Sequence, residues 1–170
     1  MSAPTPSHGR RNPFDHAGLD FRPVSPNLIK ARLIGAAIPI GTVLVVGILA
    51  LVFRQWVLGG IALAIATGLA VWLGWLIPRQ VRAIGYAEAE DDLVIRKGIL
   101  FRSIRVVPYG RMQFVDVNQG PLDRAFGMSG VKLFTAAATT DAELPGLPTE
   151  EAARLRDRLT ERGEARLAGL

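Results

Sequence analysis

Two uncharged runs constrain this chain more than any other feature. Leu33–Phe53 spans 21 residues and Gln55–Ile77 spans 23, and neither holds an Asp, Glu, Lys or Arg. A helix needs about 20 apolar residues to cross about 30 Å of hydrocarbon. Both runs are long enough, and they are apolar on every face, which a half-buried helix of a soluble core is not. Only Arg54 separates them, so the two spans must be antiparallel neighbours. A signal peptide has a shorter apolar region close to the start of the chain. Here about 30 residues precede the first run and a second run follows, so that reading is rejected.

Flanking cations set the expected orientation. Arg22, Lys30 and Arg32 precede the first span, and Arg79 and Arg82 follow the second, against Arg54 alone between them. Lys and Arg are retained on the cytoplasmic side. The expectation is a multi-pass protein of a bacterial cytoplasmic membrane, with both termini cytoplasmic and Arg54 outside. Trp56 falls at the outer interface and Trp72 and Trp75 near the inner one, where indole rings are favoured. In the second span Gly60, Ala64 and Gly68 recur every four residues, and so do Ala62, Ala66, Ala70 and Gly74. Such rows allow close helix approach. They serve either the hairpin itself or a further subunit or partner. The absence of charge within the spans argues against transport, which needs ionisable groups there.

The rest of the composition excludes chemistry. There is no cysteine, and the only histidines, His8 and His16, lie in a Pro-rich tail. Neither a Cys/His zinc site nor a Ser–His–Asp triad in a folded domain is available. No cofactor is expected, and no enzymatic constellation emerges. The net charge of +5 is mostly juxtamembrane. Residues 1–55 carry six basic and two acidic side chains, whereas residues 79–170 carry fourteen and thirteen. That balance does not suit nucleic acid, which needs a basic face on the folded domain. No small-molecule substrate is evident.

The expected organisation is a disordered cytoplasmic tail over 1–27, a hairpin over 28–78 with spans near 33–53 and 56–77, a folded domain over 79–163 and a tail over 164–170. Within the domain, turn signals predict strands over Ile84–Glu88, Leu93–Lys97, Leu100–Val107, Met112–Asn118 and Val131–Ala136, with a short one near Ala142–Leu144. Gly98 and Pro108-Tyr109-Gly110 mark turns. Leu122 and Phe126 predict a helical turn ending at Gly127. Thr149, Glu150 and Glu151 open a helix running to about Arg162. Strands followed by one helix predict an α+β fold: a small β-barrel or sandwich closed by the C-terminal helix.

The run Val107-Pro108-Tyr109-Gly110-Arg111-Met112-Gln113-Phe114-Val115-Asp116-Val117-Asn118-Gln119-Gly120-Pro121-Leu122 resembles the signature of bacterial membrane proteins of the YdbS-like, pleckstrin-homology-like (PH-like) family. That signature is roughly P-x-x-R-I-Q-x-V-x-V-x-Q-G-P-L, then x-R-x-x-G and a strand ending in T-A. Arg124, Gly127, Thr135 and Ala136 match the continuation, and Leu93–Gly98 and Leu144–Leu147 match its flanks. The resemblance covers about residues 25–163, including both spans. Met112 departs from the usual Ile, and Ala136–Thr140 stands where many members carry a Gly-rich turn. The resemblance implies a cytoplasmic PH-like barrel without enzymatic activity, and assembly with a partner.

Three groups are candidate sites. The motif residues Pro108, Arg111, Gln113, Asp116, Gln119, Gly120, Pro121 and Gly127 form either a recognition surface or an architectural turn, with Arg111 and Gln113 bonding loop backbone. Arg96, Lys97, Arg102, Arg105 and Arg111 form an acid-free basic stretch that could hold anionic lipid headgroups, each cation worth roughly 1 kcal/mol near such a surface. Glu88, Glu90, Asp91 and Asp92 are an acidic group best read as a solvated turn. The expected partners are membrane lipids and another membrane protein, a PH-like relative or a second copy. The expected function is an interaction or assembly module, with anionic-lipid sensing as the alternative.

Overall fold

A computed structural model describes residues 19–136 and 141–167. The elements run β1 (Arg22–Pro23), α1 (Asn27–Val52), α2 (Trp56–Arg82), β2 (Gly85–Glu88), β3 (Asp92–Lys97), β4 (Ser103–Pro108), a 3-10 turn (Tyr109–Arg111), β5 (Met112–Asn118), α3 (Pro121–Ala125), β6 (Met128–Thr135), β7 (Ala142–Pro148) and α4 (Thr149–Leu167).

The uncharged runs form α1 and α2, a tight antiparallel pair. Their 26 and 27 residues make each about 40 Å long. That exceeds the hydrocarbon thickness, and the excess lies at one end. The first turns of α1 and the last turns of α2 continue into the domain. Leu28 and Ala31 of α1 and Ile77 and Val81 of α2 share one core with both sheets and α4. At the other end Phe53, Arg54 and Gln55 make the connection, with Arg54 in the left-handed region at φ 61°.

The domain holds two antiparallel sheets, ordered β1-β2-β3-β4 and β5-β6-β7. This corrects the expected closed barrel or sandwich: both sheets are open, and among the described residues no ladder joins one to the other. The reason lies in β4 and in the turn after it. Arg105 stands opposite Ile95 and Val107 opposite Leu93, so Ser103, Arg105 and Val107 share the core-facing side of the first sheet. A charged guanidinium cannot be sealed in an apolar interior without a partner, and Arg105 stays exposed. The chain then leaves β4 through the 3-10 turn, whose Tyr109 is fully buried. α4 packs against that turn and against β5, β6 and β7. Its Ala152, Leu155 and Leu159 enter the core at i, i+3 and i+7.

Other boundaries also differ. β1 lies inside the segment read as a tail: Arg22 and Pro23 pair with Tyr86 and Gly85. Residues 1–18 of that segment lie outside the described residues, as do 137–140 and 168–170. Leu100 and Phe101 belong to the β3–β4 turn and not to β4. β7 is seven residues long because it continues through Pro145, whose missing N–H is tolerated on an edge strand. α4 runs on to Leu167, four residues past the expected domain end.

The joint between membrane helices and domain depends on Gly146. Its φ is +72°, and a Cβ there would lie 2.7 Å from Leu28 Cδ2. The Gly146 carbonyl accepts a hydrogen bond from the Ser25 N–H at 2.8 Å. A glycine is needed both for the backbone angle and for the close approach of α1.

Candidate membrane-facing site

The β3–β4 hairpin carries most of the basic stretch. Gly98 turns it with φ +97°, and a Cβ there would lie on the Phe101 carbonyl oxygen. The tip that follows, Ile99-Leu100-Phe101, leans toward the helix ends: Lys97, Gly98 and the tip line a groove of about 350 Å³ with Arg32, Leu76, Gln80 and Ile84. Leu76 is the penultimate residue of the second uncharged run. The tip therefore lies level with the edge of the apolar layer that the helices define. Leu100 is 84% and Phe101 92% exposed. Nearby, the Arg79 guanidinium stacks 3.7 Å from the Trp75 ring centroid, an arrangement suited to an interface.

The five basic candidates do not form one patch. Successive strand residues point to opposite faces, so Arg96 and Lys97 diverge. Arg96 lies over the Phe21 ring at 4.7 Å. Lys97 is partly buried, and burial lowers its ammonium pKa; Glu143 opposes that shift, while the charges of Arg105 and Arg32 add to it. Arg102 is exposed at the end of the hairpin turn. Arg105 enters a cleft of about 300 Å³ at the gap between the sheets, donates to the Asp141 carbonyl and shares the cleft with Lys97, Lys132 and Glu143. Arg111 is in the 3-10 turn beyond the opposite end of β4, beside α4. Sequence reasoning missed Arg32, counted only as a flanking charge; Phe21, in the segment read as a tail, was open to resting on the membrane or on the domain, and it packs on the domain.

The motif residues build a turn. Gln119 Nε2 donates to the Met128 carbonyl at 2.7 Å and to Thr149 Oγ1 at 3.2 Å. Gly120 N–H donates to Asp123 Oδ2 at 3.4 Å, and Pro121 starts α3. Gly127 has φ +63°, and its carbonyl accepts from Thr149 N–H at 3.2 Å. Pro108 ends β4, and Val115 and Val117 pack against the core. The side chains of Arg111, Gln113 and Asp116 are exposed and make no hydrogen bond or ion pair with another described residue.

The acidic group separates too. Glu88 is an ion-pair partner of Arg154 and Arg158, each at 3.2 Å. Around it, Glu151 accepts from Tyr86 at 2.6 Å and pairs with Arg154 and Arg22. Arg154 hydrogen bonding pulls the Glu151 carboxyl down to about 2. Burial, helped by Glu151, pushes the Tyr86 hydroxyl up to about 12. The cluster ties β1, β2 and α4 together, and Arg22, Tyr86, Glu151 and Arg154 line an open cleft of about 460 Å³. Among the described residues, no group of three His, Cys, Asp or Glu could hold a metal ion.

A family model described as Bacterial PH domain matches residues 30–163, which take in both uncharged runs. The chain belongs to the bacterial PH domain family. It is 31% identical to the transmembrane protein YdbS of Bacillus subtilis (strain 168) over 144 residues, which is 81% of this chain and 89% of that relative. No solved structure matches the chain. As a bacterial PH domain protein it is a non-catalytic, membrane-associated chain of the YdbS-like type.

Proposed function

We propose that this bacterial PH domain protein is an interaction module that assembles with another membrane protein, a relative or a second copy of itself. One observation supports this reading above others: the hairpin uses only part of its small-residue surface. Ala66 is buried against α1, and Gly59 and Gly47 bring the two backbones together, a Cβ on Gly59 meeting the Gly47 carbonyl at 3.0 Å. Gly60 and Gly68, on the other row, have nothing within 4 Å of where a Cβ would stand, and Ala64 between them is exposed. A small-residue row of this kind admits a further helix at close range. The fused core of helices and domain holds the domain at a fixed height, so a partner gripped in the bilayer is also presented to the domain at high effective concentration.

Purification from native membranes in mild detergent tests the reading. A stoichiometric membrane-protein partner, or a second copy captured by cross-linking, is expected. The Gly60→Leu/Gly68→Leu variant loses it while keeping a folded hairpin. A wild-type chain that purifies with no protein partner and no second copy sinks the reading.

A second reading, anionic-lipid binding, is favoured by the groove in which Arg32 and Lys97 meet at the helix ends. Retention of one anionic lipid through that purification, lost when Arg32, Arg96, Lys97 and Arg102 are replaced, supports it. Both readings place the termini and the domain in the cytoplasm, on the flanking-cation argument. Reporters fused at Arg54 and Leu170 test this, and a cytoplasmic signal at Arg54 reverses it.

A further inference from the structure

The β3–β4 tip breaks the pattern of the domain around it. Elsewhere in the domain the large apolar side chains are mostly inside; among the described residues Phe114, Val106 and Leu122 are the other exposed ones, at 55%, 46% and 38%. Leu100 and Phe101 are almost wholly outside, at 84% and 92%, and they are adjacent. Exposed apolar pairs on a soluble surface are disfavoured and mark a contact. The question is what covers this one.

Three observations name the occupant. The tip shares a groove with Leu76, the penultimate residue of the second uncharged run, which puts the pair beside the end of the apolar layer of α2. Cations surround it: Arg32 and Lys97 line the same groove, and Arg102 follows Phe101 directly. An apolar tip ringed by cations is the charge pattern of an element that lies in the headgroup region, with its side chains reaching the acyl boundary. Finally, Gly98 takes a positive φ and approaches the Phe101 carbonyl too closely for a Cβ, and the turn built this way leaves both side chains outside the core.

We propose that Leu100 and Phe101 are a second membrane contact of this chain, inserted into the lipid interface beside the helix hairpin. The domain then touches the bilayer at two places, the helices and the tip, and this fixes its rotation about the hairpin axis as well as its height. The inference adds an apolar contact to the anionic-lipid reading and does not depend on it.

The chain has no cysteine, so a single introduced thiol labels at one place. Leu100→Cys and Phe101→Cys, each carrying a polarity-sensitive nitrobenzoxadiazole dye, would be compared in nanodiscs with Glu90→Cys. Glu90 is exposed in the β2–β3 turn, at the opposite end of the sheet. One nanodisc set is phosphatidylcholine alone and one contains phosphatidylglycerol. The expected result is blue-shifted emission at positions 100 and 101, quenched by doxyl-labelled lipid and shielded from aqueous iodide, with the reverse at position 90. Insertion in both lipid sets supports the inference even if the phosphatidylglycerol arm shows no preference, which would count against the anionic-lipid reading alone. Water-like emission at both positions in both sets overturns it. A blue shift without lipid quenching also overturns it, because a protein surface then covers the tip.

Discussion

The helix hairpin and the PH domain draw on the same apolar residue types and dispose of them in opposite ways. In α1 and α2, Ile38, Val45, Val46, Val57, Ile65 and Val71 all face outward, and the close approach of the helices falls at Gly47, Gly59 and Ala66, with Leu51 and Ala62 beside them. In the domain, Leu93, Val131, Leu133, Leu144 and Leu155 are wholly enclosed. The difference teaches that exposure has no meaning without a solvent. Lipid replaces water around the hairpin, so the close packing that hydrophobicity drives in the domain is there driven by backbone proximity.

The sharpest way to break this contrast is a matched pair of truncations. Leu133→Ala removes a wholly buried side chain and should cost about 2–5 kcal/mol, read as a large fall in the thermal midpoint in detergent. Ile38→Ala, at a site 70% exposed on α1, should change stability by no more than about 0.5 kcal/mol, since lipid or detergent fills the space. Equal costs would mean that the outward face of α1 is covered by protein. Next in size is the joint between the halves. Gly146→Ala places a Cβ at a positive φ and against Leu28, and should cost about 1–3 kcal/mol. Proteolysis between α2 and β2 should accelerate with it, and an unchanged rate would show that the joint is not what holds the halves together.

A smaller effect than that of the joint concerns the domain's acid sensitivity. The Glu151 carboxyl titrates lower in the folded chain than its ordinary value of 4.5, at about 2. Its contribution is therefore complete above about pH 4.5 and is lost as pH falls toward 2. The side chain is partly solvent-exposed, so screening limits the effect to about 1 kcal/mol. Glu151→Gln should lower the midpoint slightly at pH 7 and flatten its decline below pH 4.5. A variant that keeps the full acid slope would assign that slope to other carboxylates.

How much of this was legible from residues alone depended on the range of the forces involved. Both helices, the Met112–Asn118 strand, the Gly98 turn and α4 were readable because each is set by neighbours a few positions away. The open edge at β4 was not: whether β4 meets another strand depends on the sheet across from it, and the polar face of Ser103 and Arg105 carries meaning only once Lys97 and Ile95 are known to stand opposite. β1 was hidden by its prolines, which read as tail, although only two residues of backbone pairing were required. Among the site residues, period-two alternation could have separated Arg96 from Lys97 in advance. The exposure of Leu100 and Phe101 could not have been found that way, because an apolar pair after a glycine reads equally well as the start of a strand.

The three-residue link at the far end of the hairpin has a consequence for what this protein can sense. Among the described residues, only Phe53, Arg54 and Gln55 lie beyond the helix ends on the side away from the domain. A solute there finds no surface on those residues large enough to recognise it. Stimuli that act on the described chain directly then come from the compartment that holds the domain or from the bilayer itself, and a signal from the far side has to be relayed by a partner packed on the helices.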